Sequence, residues 1–191
     1  VEVIRTDRLD LTPLNLDQLR AYMEHTEQLE RDLPFPVSRS ILTARVRRAI
    51  RMKLARMEAA EERDHVWLTY WLIAIRSLPF GAGLAGFKGV PDPDGEAEIG
   101  YGIAPGYQGR GYMTEAVRAM IRWAFGERAC RSVVALGVDK ANPASRRVLE
   151  KAGLNVFTES EGEISHRIRR GDTTPADEGR GFPGPSGYSK G

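Results

Sequence analysis

The amino-acid sequence predicts an α/β (α+β) fold in which a mixed, mostly antiparallel central sheet is flanked by helices. Three observations carry this expectation. Apolar residues recur along the chain at two periods, that of strands and that of helices. Between residues 66 and 103, apolar runs are separated by clusters of turn residues. Beyond residue 112 the order becomes helix, strand, helix, strand, so antiparallel strands pass into a βαβα pattern. With 191 residues, 41% hydrophobic and 28% charged, the chain can bury one core unaided.

Arg8-Leu9-Asp10-Leu11 alternates polar and apolar until Pro13, which predicts a first half-buried strand. Leu16, Leu19 and Met23 stand at helical spacing and mark a short helix. Residues 41–62 contain no Gly or Pro, and Leu42, Val46, Ala49, Ile50, Leu54 and Met57 form one apolar stripe. Arg45, Arg48, Arg51 and Arg56 lie largely off that stripe, and a solvated helix face is preferred to an anion-binding surface. The strongly apolar run 66–75 predicts a buried strand. Leu78-Pro79-Phe80-Gly81 turns the chain into a second strand at 83–87, and Pro91-Asp92-Pro93-Asp94-Gly95 into a third at 97–103, all antiparallel. Met113, Val117, Met120, Ile121, Ala124 and Phe125 form a helical stripe, and 132–138 is a β-branched run. Residues 142–152 read as a helix with Asn142 as N-cap, Pro143 at its first position and Gly153 past its end. Six of the 20 glycines and three of the 11 prolines fall from Gly171 onward. Such a stretch buries too little apolar surface to offset its ordering entropy. Residues 1–170 are therefore expected to form a single domain, and 171–191 a flexible Gly/Pro-rich tail or a segment ordered only on another surface.

Composition removes several functions. Lys+Arg 28 against Asp+Glu 26 leaves a net charge of +2, no electrostatic reason to expect a nucleic-acid partner. No run approaches the ~20 apolar residues of a membrane span. Asp7, Arg8 and Asp10 interrupt the first apolar segment, so no signal-peptide core is expected there, and the start at Val1 is expected to be trimmed. The single Cys130 excludes an internal disulfide and a Cys-based zinc cluster, and fits a reducing, cytoplasmic setting. Its apolar flanks mark it as a small buried hydrophobe. His25, His65 and His166 lack ligand-like spacing, so no metal is expected. Trp67 and Trp71, four apart on the expected strand, share a face. Core packing is the preferred reading, and lining of an acceptor cleft the sharper one.

The chemistry-bearing segment runs from Pro105 to Ala116, between a strand and a helix, with glycines at 106, 109 and 111. Small residues there let consecutive backbone N–H groups face one way at a helix N-terminus, a ready site for a pyrophosphate, with Arg110 as an adjacent cation. It matches neither a P-loop nor the Gly-x-Gly-x-x-Gly order of a dinucleotide fold. A glycine turn that only starts a helix is the competing reading. Glu98 is either a general base or one strand carboxylate paired with Lys or Arg. Ser145 lies in the first turn of its helix and has a capping explanation, as Asn142 does before Pro143.

Glu98-Ile99-Gly100-Tyr101, the Gln108-x-x-Gly111 loop, and Asn142-x-x-Ser145 leading to Glu150-Lys151-Ala152-Gly153 occur in order and at matching intervals. Together, over roughly residues 6–158, they resemble the GNAT superfamily of acyl-CoA N-acyltransferases, and most nearly its ribosomal-protein-alanine N-acetyltransferase branch. The resemblance implies a GNAT-like sheet with splayed strands and acetyl-CoA as co-substrate. It places the pyrophosphate on Gln108, Gly109, Arg110, Gly111, Tyr112, Met113 and Thr114, and the pantetheine in the gap beside the 97–103 strand, held like an added strand. Asn142 would bond the pantetheine, and the N–H of Gly102 or Ile103 would receive the developing oxyanion. Glu98 takes the base role, and Ser145 that of proton donor, since Leu149 stands where many relatives have a tyrosine. Met113 replaces a Gly or Ala of matching relatives, so its side chain must turn into the core.

The implied activity is direct acetyl transfer to an amine, a protein N-terminus or a small molecule; the alternative is a non-catalytic CoA-binding or scaffold module. Glu96, Glu98, Glu159, Glu161 and Glu163 are candidates for an acidic acceptor cleft. Acceptor identity stays open, as does a homodimer.

Overall fold

The structure, a computed structural model, describes residues 3–127 and 129–172; the predicted tail lies, from residue 173, outside them. The elements run β1 (Ile4–Arg5), β2 (Leu9–Pro13), α1 (Leu16–Glu24), α2 (Thr26–Asp32), α3 (Ala44–Ala59), α4 (His65–Leu68), β3 (Trp71–Ile75), β4 (Phe80–Phe87), β5 (Glu96–Ile103), α5 (Tyr112–Gly126), β6 (Ser132–Asp139), α6 (Pro143–Lys151), β7 (Asn155–Glu159) and β8 (Glu163–Arg169). The strands form one sheet in the order β1-β2-β3-β4-β5-β6-β8-β7. Among the described strand pairings only β5–β6 is parallel. A right-handed crossover through a helix is the usual route to such a pair, and α5 is the helix that makes it.

Each face of the sheet carries a core. One packs Leu9, Leu11, Ile73, Phe87 and Ile99 against Val117, Met120 and Ile121 of α5 and Leu149 of α6. The other packs Leu72 and Leu84 against Leu19 of α1 and Ile50, Leu54 and Met57 of α3. Val46, on the same α3 stripe, is only half-buried. Arg45, Arg48, Arg51 and Arg56 are exposed, as expected of a solvated face.

Local signals explain the helix starts. Asn15 accepts from the Gln18 amide while the Gln18 side chain accepts from the Asn15 amide, a reciprocal cap. Asn142 Oδ1 accepts from the Ser145 amide at 3.0 Å, Pro143 opens α6, and Gly153 follows it at φ +95°.

The apolar run 66–75 is not one strand. His65–Leu68 is a helical turn, and β3 starts only at Trp71. A short apolar run has no periodicity that separates helix from strand. Trp67 and Trp71 therefore do not share a strand face, yet both are buried in the same core. Their rings lie 4.7 and 5.1 Å from that of Trp123, which favours core packing over cleft lining.

Candidate active site

The two edges of β5 are unequal. Against β4 it is paired from Gly83↔Ile103 to Phe87↔Ile99; against β6 only Glu96↔Ser132, Ala97↔Val133 and Glu98↔Val134 are paired, after which the strands part. Successive backbone groups of a strand point to opposite edges. The Glu98 carbonyl accepts from the Lys88 amide, and the Ala104 amide donates to Ala82, so even-numbered residues of β5 are turned toward β4. Odd-numbered ones, Ile99, Tyr101 and Ile103, present their N–H and C=O groups to the gap. This corrects one expectation: the Gly102 amide belongs to the β4 ladder, leaving Ile103 of the expected pair as a gap-facing donor. Gly102 still lines the space on both sides of the strand end.

At the C-terminal end of β5 a groove of about 410 Å³ opens toward α5 and α6. Its lining includes Gln108, Gly109, Gly111, Tyr112, Met113 and Thr114. Gly109 (φ +74°) and Gly111 (φ +79°) adopt the left-handed conformation that L side chains rarely take. Gly111 is the N-cap of α5, so the first-turn amides of Tyr112, Met113 and Thr114 have no intrahelical partner. The Met113 side chain does not block them. It is 7% exposed and packs in the α5 core.

A bracket from the chain's start holds this junction. Glu115 accepts from the Thr6 hydroxyl at 2.6 Å, the Arg8 amide at 2.9 Å and Arg8 Nε at 2.7 Å. The Arg8 guanidinium also donates to the Arg110 carbonyl at 3.0 Å and stacks on Tyr112. Burial pushes the Glu115 carboxyl up, but the bonds from Thr6 and Arg8 and the Arg8 charge outweigh it, and its pKa is lowered. Arg110 itself lies outside the groove lining, its guanidinium over the Tyr107 ring. Across the groove, α6 supplies two cations, Arg147, which no sequence motif marks, and Lys151, which stands in the motif without a role.

Asn142 and Ser145 line the same groove. Asn142 uses its oxygen as the α6 cap, and its NH₂ has no hydrogen bond among the described residues. The Tyr101 hydroxyl donates to the Ser145 carbonyl at 3.1 Å and lies 3.0 Å from Ser145 Oγ. Burial pushes the Tyr101 phenol up to about 12, the Ser145 bond pulling the other way, so it keeps its proton at neutral pH. Leu149 is fully buried. The phenol near Ser145 thus comes from the facing strand, a position quoted from the motif without a role.

Glu98 sits at the vertex where β5 and β6 part. Its Oε1 lies 2.5 Å from Lys88 Nζ, the pairing foreseen as the competing reading; Oε2 has no partner among the described residues. The other proposed cleft carboxylates are dispersed. Glu96 pairs with Arg167 at 2.8 Å and Glu159 with Lys140 at 2.6 Å, and neither cavity beside β5 is lined by Glu161 or Glu163. Cys130 is fully buried, and burial pushes its thiol up to about 11. Among the described residues no group of three His, Cys, Asp or Glu side chains is placed to hold a metal, and no helix is long and apolar enough to cross a membrane.

This mixed, mostly antiparallel sheet, open beside the start of α5, matches the fold of the GNAT acetyltransferases. Residues 8–155 match the family model described as "Acetyltransferase (GNAT) domain", and the chain belongs to that family. A curated relative, the uncharacterized N-acetyltransferase YjdG of Bacillus subtilis (strain 168), is 30% identical over 98 residues, 51% of this chain and 57% of its own length. The chain thus matches little more than half of that relative. Among solved structures, the ribosomal L7/L12 alpha-N-protein acetyltransferase RimL in complex with coenzyme A superposes with a TM-score of 0.59 at 16% identity, covering 88% of this chain and 98% of that one. An acetyltransferase from Agrobacterium tumefaciens str. C58 gives 0.59 at 20% identity, covering 89% and 95%. At these identities the likeness is one of fold.

Proposed function

We propose that the protein transfers an acetyl group from acetyl-CoA to a primary amine, a protein N-terminal α-amine or a small-molecule amine, by direct attack. The observation that carries this is the unpaired edge of β5 running into the amide cluster at the start of α5. Backbone donors and acceptors seldom stay unsatisfied, and the amides and carbonyls of a pantetheine arm match the alternation of Ile99, Tyr101 and Ile103. The coenzyme A bound by RimL supports the same ligand here.

In this reading the amides of Gly109, Gly111, Tyr112, Met113 and Thr114 hold the pyrophosphate, with Gln108 at the loop entrance and Arg147 and Lys151 as cations. The free NH₂ of Asn142 holds the pantetheine. Gap-facing amides of β5, Ile103 among them, are in place for the carbonyl oxygen before charge develops. Glu98 Oε2 takes the amine proton, directly or through water, while Oε1 stays paired with Lys88. Ser145, hydrogen-bonded to the Tyr101 phenol, gives its hydroxyl proton to the leaving thiolate and takes one back from solvent in the groove, while Glu98 releases the amine proton to solvent. The hold of Lys88 on Glu98 favours the second reading, a non-catalytic CoA-binding module, and turnover separates the two.

Gly111→Asp and Gly111→Asn test the cradle. Both residues tolerate a left-handed backbone, so they strain the fold alike, but only the carboxylate repels a diphosphate. Acetyl-CoA at about 100 times its Kd stabilises by roughly 2.7 kcal/mol, a rise in Tm of roughly 5–10 °C for this size. The rise is expected in the wild type, reduced in Gly111→Asn and absent in Gly111→Asp. Equal melting of the wild type with and without acetyl-CoA overturns the assignment.

A further inference from the structure

The turn between β1 and β2 is a firm mount for one side chain, Arg8. The Thr6 amide donates to the Leu9 carbonyl at 2.9 Å, the Leu9 amide donates to Thr6 Oγ1 at 3.0 Å, and the Leu9 side chain is fully buried. Arg8 projects from this turn onto the start of α5, where it meets three residues around Gly111. Nη1 donates to the Arg110 carbonyl, the guanidinium lies 4.7 Å from the centre of the Tyr112 ring, and Nε donates to Glu115 Oε2. Arg8 itself does not line the groove, so any effect it has on a ligand there passes through these neighbours.

Two requirements of a diphosphate cradle meet in these contacts. The first is charge. Glu115 stands in the first turn of α5, where a carboxylate profits from the same helix dipole as a bound anion. Its lowered pKa leaves it ionised at neutral pH. Left unpaired, it would compete with a diphosphate for the first-turn amides and repel it. Instead, Oε1 is taken by the Thr6 hydroxyl and the Arg8 amide, and Oε2 by Arg8 Nε. The second requirement is the direction of an amide. The C=O and N–H of a trans peptide point opposite ways, so the Arg110 carbonyl and the Gly111 amide face opposite sides of one plane. Glycine gives that plane unusual freedom to turn. By holding the Arg110 carbonyl, Arg8 directs the Gly111 amide away from the β1–β2 turn, and Gly111 lines the groove.

Resting on the transfer reading above, we infer that Arg8 is a positioning residue for the diphosphate of acetyl-CoA: it cancels the Glu115 charge beside the cradle and fixes the peptide that presents the Gly111 amide. A side chain 107 positions before Glu115 thereby sets the affinity of the loop for its ligand. The roles of the pair are unequal. Glu115 is a charge to be neutralised, whereas Arg8 both neutralises it and holds the Arg110 carbonyl. Removing one partner is therefore not equivalent to removing the other, which separates this role from a contact that only braces the fold.

Calorimetry with acetyl-CoA tests this on the wild type, Arg8→Met, Glu115→Gln and the double variant. Methionine keeps an apolar stem over Tyr112, and glutamine keeps the shape of Glu115. Both side chains are partly exposed, and Tm without ligand checks that the variants fold. Arg8→Met bares the carboxylate and frees the peptide, and Kd should rise about tenfold or more. Glu115→Gln leaves Arg8 on the Arg110 carbonyl, and Kd should stay within about threefold of the wild type. Adding Glu115→Gln to Arg8→Met removes the bared charge and should recover about threefold or more of the lost affinity. S-acetylpantetheine, which bears the acetyl thioester but no diphosphate, should bind Arg8→Met and the wild type alike. A contact that only braces the fold gives another pattern: either single change breaks it, and the second cannot repair the first. The inference is overturned if Glu115→Gln weakens acetyl-CoA as much as Arg8→Met does, if the double variant recovers nothing, or if S-acetylpantetheine loses as much affinity as acetyl-CoA. Absence of acetyl-CoA binding to the wild type removes the transfer reading and this inference together, whereas binding by the wild type and Arg8→Met alike removes the inference alone.

Discussion

One strand of this protein has two edges with opposite fates. From Ile99 to Ile103, β5 is laddered to β4, while β6 accompanies it only from Glu96 to Glu98. The sequence of the strand is the same for both edges, so the difference comes from its neighbours. The β6 ladder to β8 shifts register between Ala135 and Val138, and an irregularity of this kind bends a strand away from its partner. On the closed edge, backbone groups stabilise the sheet. On the open edge, the same groups are free to recognise a ligand that imitates a strand.

The largest expected effect sits at the vertex where both edges meet. Glu98→Gln keeps the shape and removes the base, and kcat should fall about 100-fold or more. Acetyl-CoA should raise Tm as in the wild type. An unchanged kcat would mean that Glu98 serves only its pair with Lys88.

A smaller effect separates the two edges directly. Amide hydrogen exchange of the free protein should be slow at Gly100 and Gly102, whose N–H groups are in the β4 ladder, and about tenfold or more faster at Tyr101 and Ile103. Saturating acetyl-CoA should slow Tyr101 and Ile103 and leave Gly100 and Gly102 nearly unchanged. Slow exchange at all four without ligand would show that the gap is closed in solution.

What could be read beforehand follows the range of the interactions. Asn142, Pro143 and Gly153 delimit α6 by local chemistry, and the stripe of Met113, Val117 and Met120 sets the buried face of α5. The helical turn at His65–Leu68 was hidden inside an apolar run. The Thr6–Glu115 and Arg8–Glu115 contacts join residues more than a hundred positions apart, beyond any periodicity. Lys53, a polar residue beside Leu54 on α3, has no sequence signal for burial, yet its amine is buried on the carbonyls of Leu68, Thr69 and Phe87, and burial pushes its pKa down to about 7. Gly102 shows the same limit at the site: which edge an amide faces depends on strand pairing, and glycine leaves no side-chain pattern to betray it.

The smallest effect distinguishes two duties of a single side chain. Asn142 caps α6 through its oxygen, and the proposed pantetheine bond uses its NH₂. Asn142→Ala loses both. A lost cap costs about 1 kcal/mol, which for a chain of this length lowers Tm by roughly 2–4 °C, and the acetyl-CoA affinity should weaken as well. Asn142→Asp keeps an equivalent cap acceptor but has no NH₂ to donate. Its Tm without ligand should therefore match the wild type while the rise with acetyl-CoA shrinks. If Asn142→Asp responds to acetyl-CoA as the wild type does, the side chain is only a cap, and the open edge of β5 must hold the pantetheine through backbone groups alone.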